Sequence, residues 1–177
     1  MTNTPTPDTG PMTTGGPGRR GSPSGLSGSA GERAALDLWA HLLRVTGTVH
    51  ALLADRLVVE LGMLPEEVDL LMRLEEAPEQ RLRMADVSRS LLLSKSGVTR
   101  LVDRVVERGL VERAACPSDR RVVYAGLTDE GRRAVVAAAP LFVAGIVEHL
   151  GRHLTGSELN TVRNNLRTIL TAEGVDP

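Results

Sequence analysis

Cysteine, lysine and aromatic residues are nearly missing from this 177-residue chain. There is one cysteine, Cys116, one lysine, Lys95, and one each of the aromatics, Trp39, Tyr124 and Phe142. A single thiol excludes an intramolecular disulfide framework and a cysteine-rich zinc module. It fits a reducing, cytoplasmic compartment. So few rings argue against readers that stack bases on aromatic side chains, and against aromatic cages. No stretch approaches the roughly 18–20 apolar residues of a membrane span, so no transmembrane helix and no membrane partner are expected. The N-terminus has no apolar run after its first charges, so no secretory signal is expected. G-x-S-x-G, Walker A, H-E-x-x-H and a paired Cys/His nucleophile are all missing, which speaks against an enzyme and against a cofactor.

The charge that is present is unevenly placed. The formal net charge of −1 conceals a net of +5 over residues 81–124 and −6 over residues 31–80. A basic segment of this kind suits phosphate contact where it coincides with a DNA-binding motif.

Residues 1–30 hold twenty-two Gly, Pro, Ser or Thr. They cannot bury enough apolar surface to offset their ordering entropy and are expected to be disordered. The G-x-G-x-x-G match at Gly16–Gly21 has no strand before it and no helix after it, so the dinucleotide-binding reading fails. From Glu32 to about Gly62 the chain reads as one long helix, with Leu38, Leu42, Val45, Val49 and Leu52 in a heptad-like stripe. Pro65 opens a second helix, with Glu66 and Glu67 at its positive end, and Pro78 closes it. A short extended piece, 81–83, follows. Met84 to Leu92 is expected to be a short helix with Ala85, Val87 and Leu91 inward.

Ser94 caps a further helix from Lys95 to Arg108, which Gly109 stops. This is a helix-turn-helix pair. Two strands, Leu110 to Ala115 and Arg121 to Leu127, flank the turn sequence Cys116-Pro117-Ser118-Asp119-Arg120 and make a hairpin wing. Thr128 caps a long helix to about His153, which Pro140 should kink. Thr155 and Glu158 form a capping box for a last helix to about Ala172. The fold class is therefore mainly α with a small β-wing, a winged helix-turn-helix.

On the second helix of the pair, Val98, Leu101, Val102 and Val105 share one face and must point to the core. Ser96, Thr99, Arg100, Asp103, Arg104 and Glu107 lie opposite. The N-terminal half of such a helix reaches base edges in the major groove. Arg100 suits guanine, Ser96 and Thr99 suit a base or a thymine methyl, and Lys95 suits a phosphate. Asp103 would repel DNA unless paired, either with an arginine of the hairpin or with Arg100 on its own helix.

The run from Leu92 to Arg104, with Arg108-Gly109-Leu110-Val111-Glu112-Arg113 after it, is similar to the recognition helix of MarR-family regulators. Asp119-Arg120-Arg121 and Leu127-Thr128-Asp129-Glu130-Gly131 resemble that family's wing signature, D-x-R followed by L-T-x-x-G. The resemblance spans about residues 32–172. It implies a winged helix-turn-helix inside an α-helical homodimer, with 32–62 and 128–172 as dimerisation helices and 65–127 as the DNA-binding lobe. It implies that Arg121 enters the minor groove and that Asp119 orients it. Ser94, Arg104, Arg113 and Arg120 join the expected DNA contacts, Arg113 and Arg120 at phosphates. Two recognition helices would sit one turn apart, about 34 Å, on a pseudo-palindrome. The family implies a repressor released by a small anionic or phenolic effector, for which Trp39, His41, Arg44 and Arg73 are the expected contacts.

Three alternatives remain open at this level. Cys116 in the wing turn could sense oxidants, although peroxide-sensing relatives place their cysteine near the start of the domain. His149 and His153, at i and i+4, could hold a metal, although no third ligand is evident. The winged helix could serve protein contacts, with the acidic residues 31–80 meeting a basic partner.

Overall fold

The computed structural model describes residues 1, 29–91, 93–116, 119 and 121–175. The expected disorder of the N-terminal tail, for residues 2–28, and the role of Arg120 lie outside the described residues. Internal contacts divide the chain into two units, Met1–Trp39 and Ala40–Pro177.

The described part of the first unit is the start of helix α1 (Ala30–Leu61). Ser29 Oγ accepts from the Glu32 N–H at 3.3 Å, and the Glu32 carboxylate accepts from the Ser29 N–H. This reciprocal cap begins the helix two residues before the expected start. Leu36, Leu38 and Trp39 are exposed.

In the second unit, α2 (Pro65–Glu76) is central. Its Val68, Leu70, Leu71 and Leu74 are fully buried, each side chain contributing about 1.5–3 kcal/mol. Helix α5 (Asp129–His149) packs along α2 and supplies Val135 and Ala138 to the core. The helix-turn-helix is α3 (Met84–Ser90) and α4 (Lys95–Glu107). The sheet has the order β1 (Arg81–Arg83), β3 (Val123–Leu127), β2 (Val111–Ala115), all antiparallel. Arg83 faces Tyr124 across one ladder, and Arg113 faces Ala125 across the other. Helix α6 (Gly156–Ala172) closes the chain with the expected Thr155–Glu158 capping box.

Several expectations are corrected. Ala85 is exposed, and Val87 alone is fully buried on α3. On α1 the core-facing residues are Leu53 and Leu57, whereas Leu38, Val45 and Leu52 of the heptad stripe are exposed. Helix α5 runs on through Pro140 and ends at His149, and residues 151–153 form a separate 3-10 turn. The expectation that no stretch is apolar enough to cross a membrane also fails. By length and composition, Asp129–His153 is such a stretch among the described residues. Here its apolar residues lie partly against α2, and Gly145 packs on Leu53 of α1.

Candidate nucleic-acid interface

Helix α4 is the second helix of the helix-turn-helix pair, the one expected to read DNA. Ser94 Oγ accepts from the Gly97 N–H at 3.1 Å and so starts the helix. Val98, Leu101, Val102 and Val105 are buried, as their spacing requires. That burial fixes the opposite face, where Lys95, Ser96, Thr99 and Arg100 are exposed. The Thr99 hydroxyl donates to the Lys95 carbonyl at 2.9 Å. Its proton is thus committed to its own helix, which leaves the oxygen lone pairs and the methyl for a base edge.

Arg113, on β2, ties the wing to this helix. It donates to Asp103, and its Nη2 donates to the Thr99 carbonyl at 3.4 Å. Of the two partners open to Asp103, the hairpin arginine is the one found. The pair neutralises Asp103, the more N-terminal of the two carboxylates on the outward face of α4.

At the wing, Asp119 Oδ1 accepts from the backbone N–H of Arg121 at 3.0 Å and from its Nε at 3.1 Å, while Oδ2 accepts from Nη2 at 3.2 Å. The guanidinium holds the Asp119 carboxyl below the ordinary carboxylate range. Even so paired, the Arg121 side chain is 91% exposed.

A groove of about 850 Å³ runs between α3, α4 and the wing, and its lining brings Lys95, Thr99, Arg113 and Arg121 together. It also includes two arginines that sequence reasoning missed, Arg83 and Arg89. Arg83 donates to the Tyr124 hydroxyl at 3.4 Å, and Arg81 stacks over the Tyr124 ring at 4.9 Å. The signal for Arg83 and Arg89 was their place in the +5 segment, but position on a helix face alone did not bring them to α4.

A family model described as MarR family matches residues 61–122. The solved structure of CouR from Rhodococcus jostii RHA1, bound to p-coumaroyl-CoA, is 30% identical, with a TM-score of 0.66 over 75% of this chain and 91% of that one. The chain belongs to the MarR family. Sco3205 from Streptomyces coelicolor, a MarR family transcriptional regulator solved in complex with DNA, is 29% identical, with a TM-score of 0.73 over 84% of this chain and 94% of that one. AbsC, a MarR family transcriptional regulator from the same organism, is 27% identical, with a TM-score of 0.73 over 84% and 97%. No curated protein matches the chain. The architecture is that of a MarR-family transcriptional regulator.

The MarR wing signature has a structural cause here. Thr128 Oγ1 accepts from the Gly131 N–H at 2.9 Å and donates back to the Gly109 carbonyl at 2.7 Å. A Cβ on Gly131 would lie 2.1 Å from the Leu110 carbonyl oxygen, so only glycine lets α5 start this close to the strand.

Arg104 stands apart from the other arginines of the MarR reading helix. Its Nε donates to Glu67 Oε1 at 3.0 Å, and its Nη2 to Glu66 Oε1 at 3.4 Å. Arg108 Nη1 donates to Glu67 Oε2 at 3.1 Å. Glu67 is almost fully buried and also accepts from the Leu64 N–H at 3.0 Å. Arg104 is thereby turned towards α2, on the flank of the reading face.

A second cleft, of about 540 Å³, lies among α1, α2 and α5. His41, Arg44 and Arg73 are not among the described residues that line it, and Trp39 belongs to the other unit. Instead the polar lining is Thr46, His50, Glu66 and Asp69, with Phe142 on the apolar side. Arg73 Nε donates to Asp69 at 3.0 Å. Because α5 ends at His149, His153 does not continue its face, so the i, i+4 premise for a metal pair fails. Among the described residues no cluster of three metal-ligating side chains occurs. Cys116 directly follows β2, half-buried, and its N–H donates to the Val122 carbonyl at 2.9 Å.

Proposed function

We propose that the chain is a cytoplasmic, homodimeric, sequence-specific regulator of double-stranded DNA, a repressor of pseudo-palindromic operators that a small molecule releases. The observation that carries this reading is the clamped yet exposed Arg121, which shares one groove with the exposed N-terminal half of α4. A recognition helix in the major groove, flanked by an arginine in the minor groove, accounts for both. Ser96, Thr99 and Arg100 read bases. Lys95, Arg83, Arg89, Arg113 and Arg120 meet phosphates, while Ser94 serves chiefly as the cap. Arg104 sets the pose of α4 on α2 and contacts phosphate only at its edge. The complex of Sco3205 with DNA supports the partner by likeness.

A second copy covers the apolar residues left exposed on α1 and α6. They include Leu43 and Val45 on the first helix, and Leu159, Val162, Leu166 and Ile169 on the last. Solvent-facing rows of this kind mark an interface. Release requires only that the effector bind the conformation whose two recognition helices are wrongly spaced for DNA.

The test is sedimentation of the free protein, together with DNA binding followed by fluorescence anisotropy against salt. A dimer whose log affinity falls linearly with log salt supports the reading. A monomer, or affinity independent of salt, contradicts it.

A further inference from the structure

We propose that the cleft among α1, α2 and α5 takes an amphiphilic organic cation, a protonated amine on an apolar body, with the amine seated against Glu66 and Asp69. This deepens, and rests on, the proposed release of DNA by a small molecule, and assigns that molecule to this cleft. The cleft is about 540 Å³, and most of its wall is apolar, from Val49, Leu53, Phe142 and Ile146 among others. Such a wall selects an apolar body.

The polar edge selects the charge. Among the described residues it contains no lysine or arginine, but it does contain two carboxylates beside Thr46 and His50. Glu66 Oε2 is buried and has no hydrogen-bond partner among the described residues. His50 Nε2 lies 3.4 Å from that oxygen, within ion-pair distance when the imidazole is protonated but outside hydrogen-bond geometry. A buried acceptor that lacks a hydrogen bond favours a donor brought into the cleft, and a ligand ammonium is such a donor. Asp69 Oδ1 is met by Arg73 from its own helix, one turn on. The positive end of α2 is the one feature here that would draw an anion. It is already occupied by the Glu66 and Glu67 carboxylates. An anionic effector, which the family resemblance implied, would therefore sit against like charge.

Glu66 also lines an adjoining groove of about 330 Å³ with Arg100 and Arg104 of the recognition helix. An ammonium drawn to Glu66 competes with Arg104 for it. This gives the ligand a direct mechanical link to the reading helix.

The experiment is calorimetric titration of the full chain with three probes that share one body and differ in one group: phenylbutylamine, phenylbutanol and phenylbutyrate. The amine is expected to bind most tightly and the carboxylate not to bind. Glu66→Gln is expected to weaken the amine about tenfold, the loss of one partly exposed charge pair, and to leave the alcohol unchanged. Asp69→Asn is the second variant, should Glu66→Gln disturb folding. The proposal is overturned if the carboxylate binds as tightly as the amine, if none of the three binds, or if neither variant weakens the amine. Operator DNA separates the two levels. If the amine binds but DNA affinity is unchanged, the release reading fails and the ligand class stands. If phenylbutyrate releases DNA, the release reading stands and the ligand class is overturned.

Discussion

Asp119 grips Arg121 at three points, the backbone N–H, Nε and Nη2, all between 3.0 and 3.2 Å. The grip fixes a long side chain that nevertheless stays 91% exposed. An unrestrained arginine would lose roughly 2 kcal/mol of rotamer freedom on entering a groove. Here much of that ordering is done before DNA arrives.

Asp119→Ala distinguishes orientation from charge. The substitution makes the wing more positive, so charge alone would tighten DNA binding. If Asp119 works by holding Arg121, binding to a cognate site weakens about three- to tenfold, the cost of ordering one long side chain. Anisotropy titrations of the two proteins at one salt concentration decide the sign.

The acid side of the same pair is open to NMR. The Arg121 guanidinium and N–H favour the ionised Asp119, and so lower its pKa. The clamp is therefore complete at neutral pH and is lost as pH falls through the lowered midpoint. A carboxyl-carbon titration should place Asp119 below its range in unfolded peptides, and Arg121→Ala should return it upward. A midpoint unmoved by the substitution would show that the clamp does not form in solution.

Glu67 should matter more for stability than for DNA contact. It is buried and receives three donors, from Leu64, Arg104 and Arg108. Glu67→Ala leaves two partly exposed arginines without this partner and opens the start of α2. A loss of about 1–3 kcal/mol is expected in urea unfolding. A loss below about 0.5 kcal/mol, the range of an ordinary surface substitution, would contradict the reading.

Gly131→Ala tests the close approach of α5 to the strand end. The added methyl would stand 2.1 Å from the Leu110 carbonyl oxygen, and a backbone atom cannot swing aside. A loss of about 1–3 kcal/mol in thermal or urea unfolding is expected, as for other overpacked sites. Unchanged stability would mean that the α5 start sits further from β2 than this structure places it.

Much of this was legible in the residues. Ser94, Gly109, Thr128 and Thr155 announce their helix ends by local chemistry, and the structure uses each as written. The four-residue apolar face of α4 is likewise a local periodicity. What was not legible depends on long-range approach. Arg104 reads as one more exposed arginine until α2 brings Glu67 to it across 37 residues. Arg83 and Arg89 join the groove because β1 pairs with β3 and α3 packs on α4. The lining of the second cleft was not legible, because Trp39, His41, Arg44 and Arg73 were chosen by residue type. The polar residues of α1 that line the cleft are Thr46 and His50, both still exposed. The heptad-like stripe on α1 was legible as a pattern, but that Leu53 and Leu57 are the α1 residues buried in the core of the chain was not, because α2 and α5 supply their cover.

The most direct test of the central claim is selection of bound duplexes from a random DNA pool at near-physiological salt, with Arg121→Ala run beside the wild type. We expect a pseudo-palindrome with half-sites about 10 base pairs apart, and a loss of A·T preference at the flanks in the variant. Enrichment of no sequence, or of the same flanks by both proteins, would contradict the assignment of Arg121 and with it the DNA-reading account of the groove.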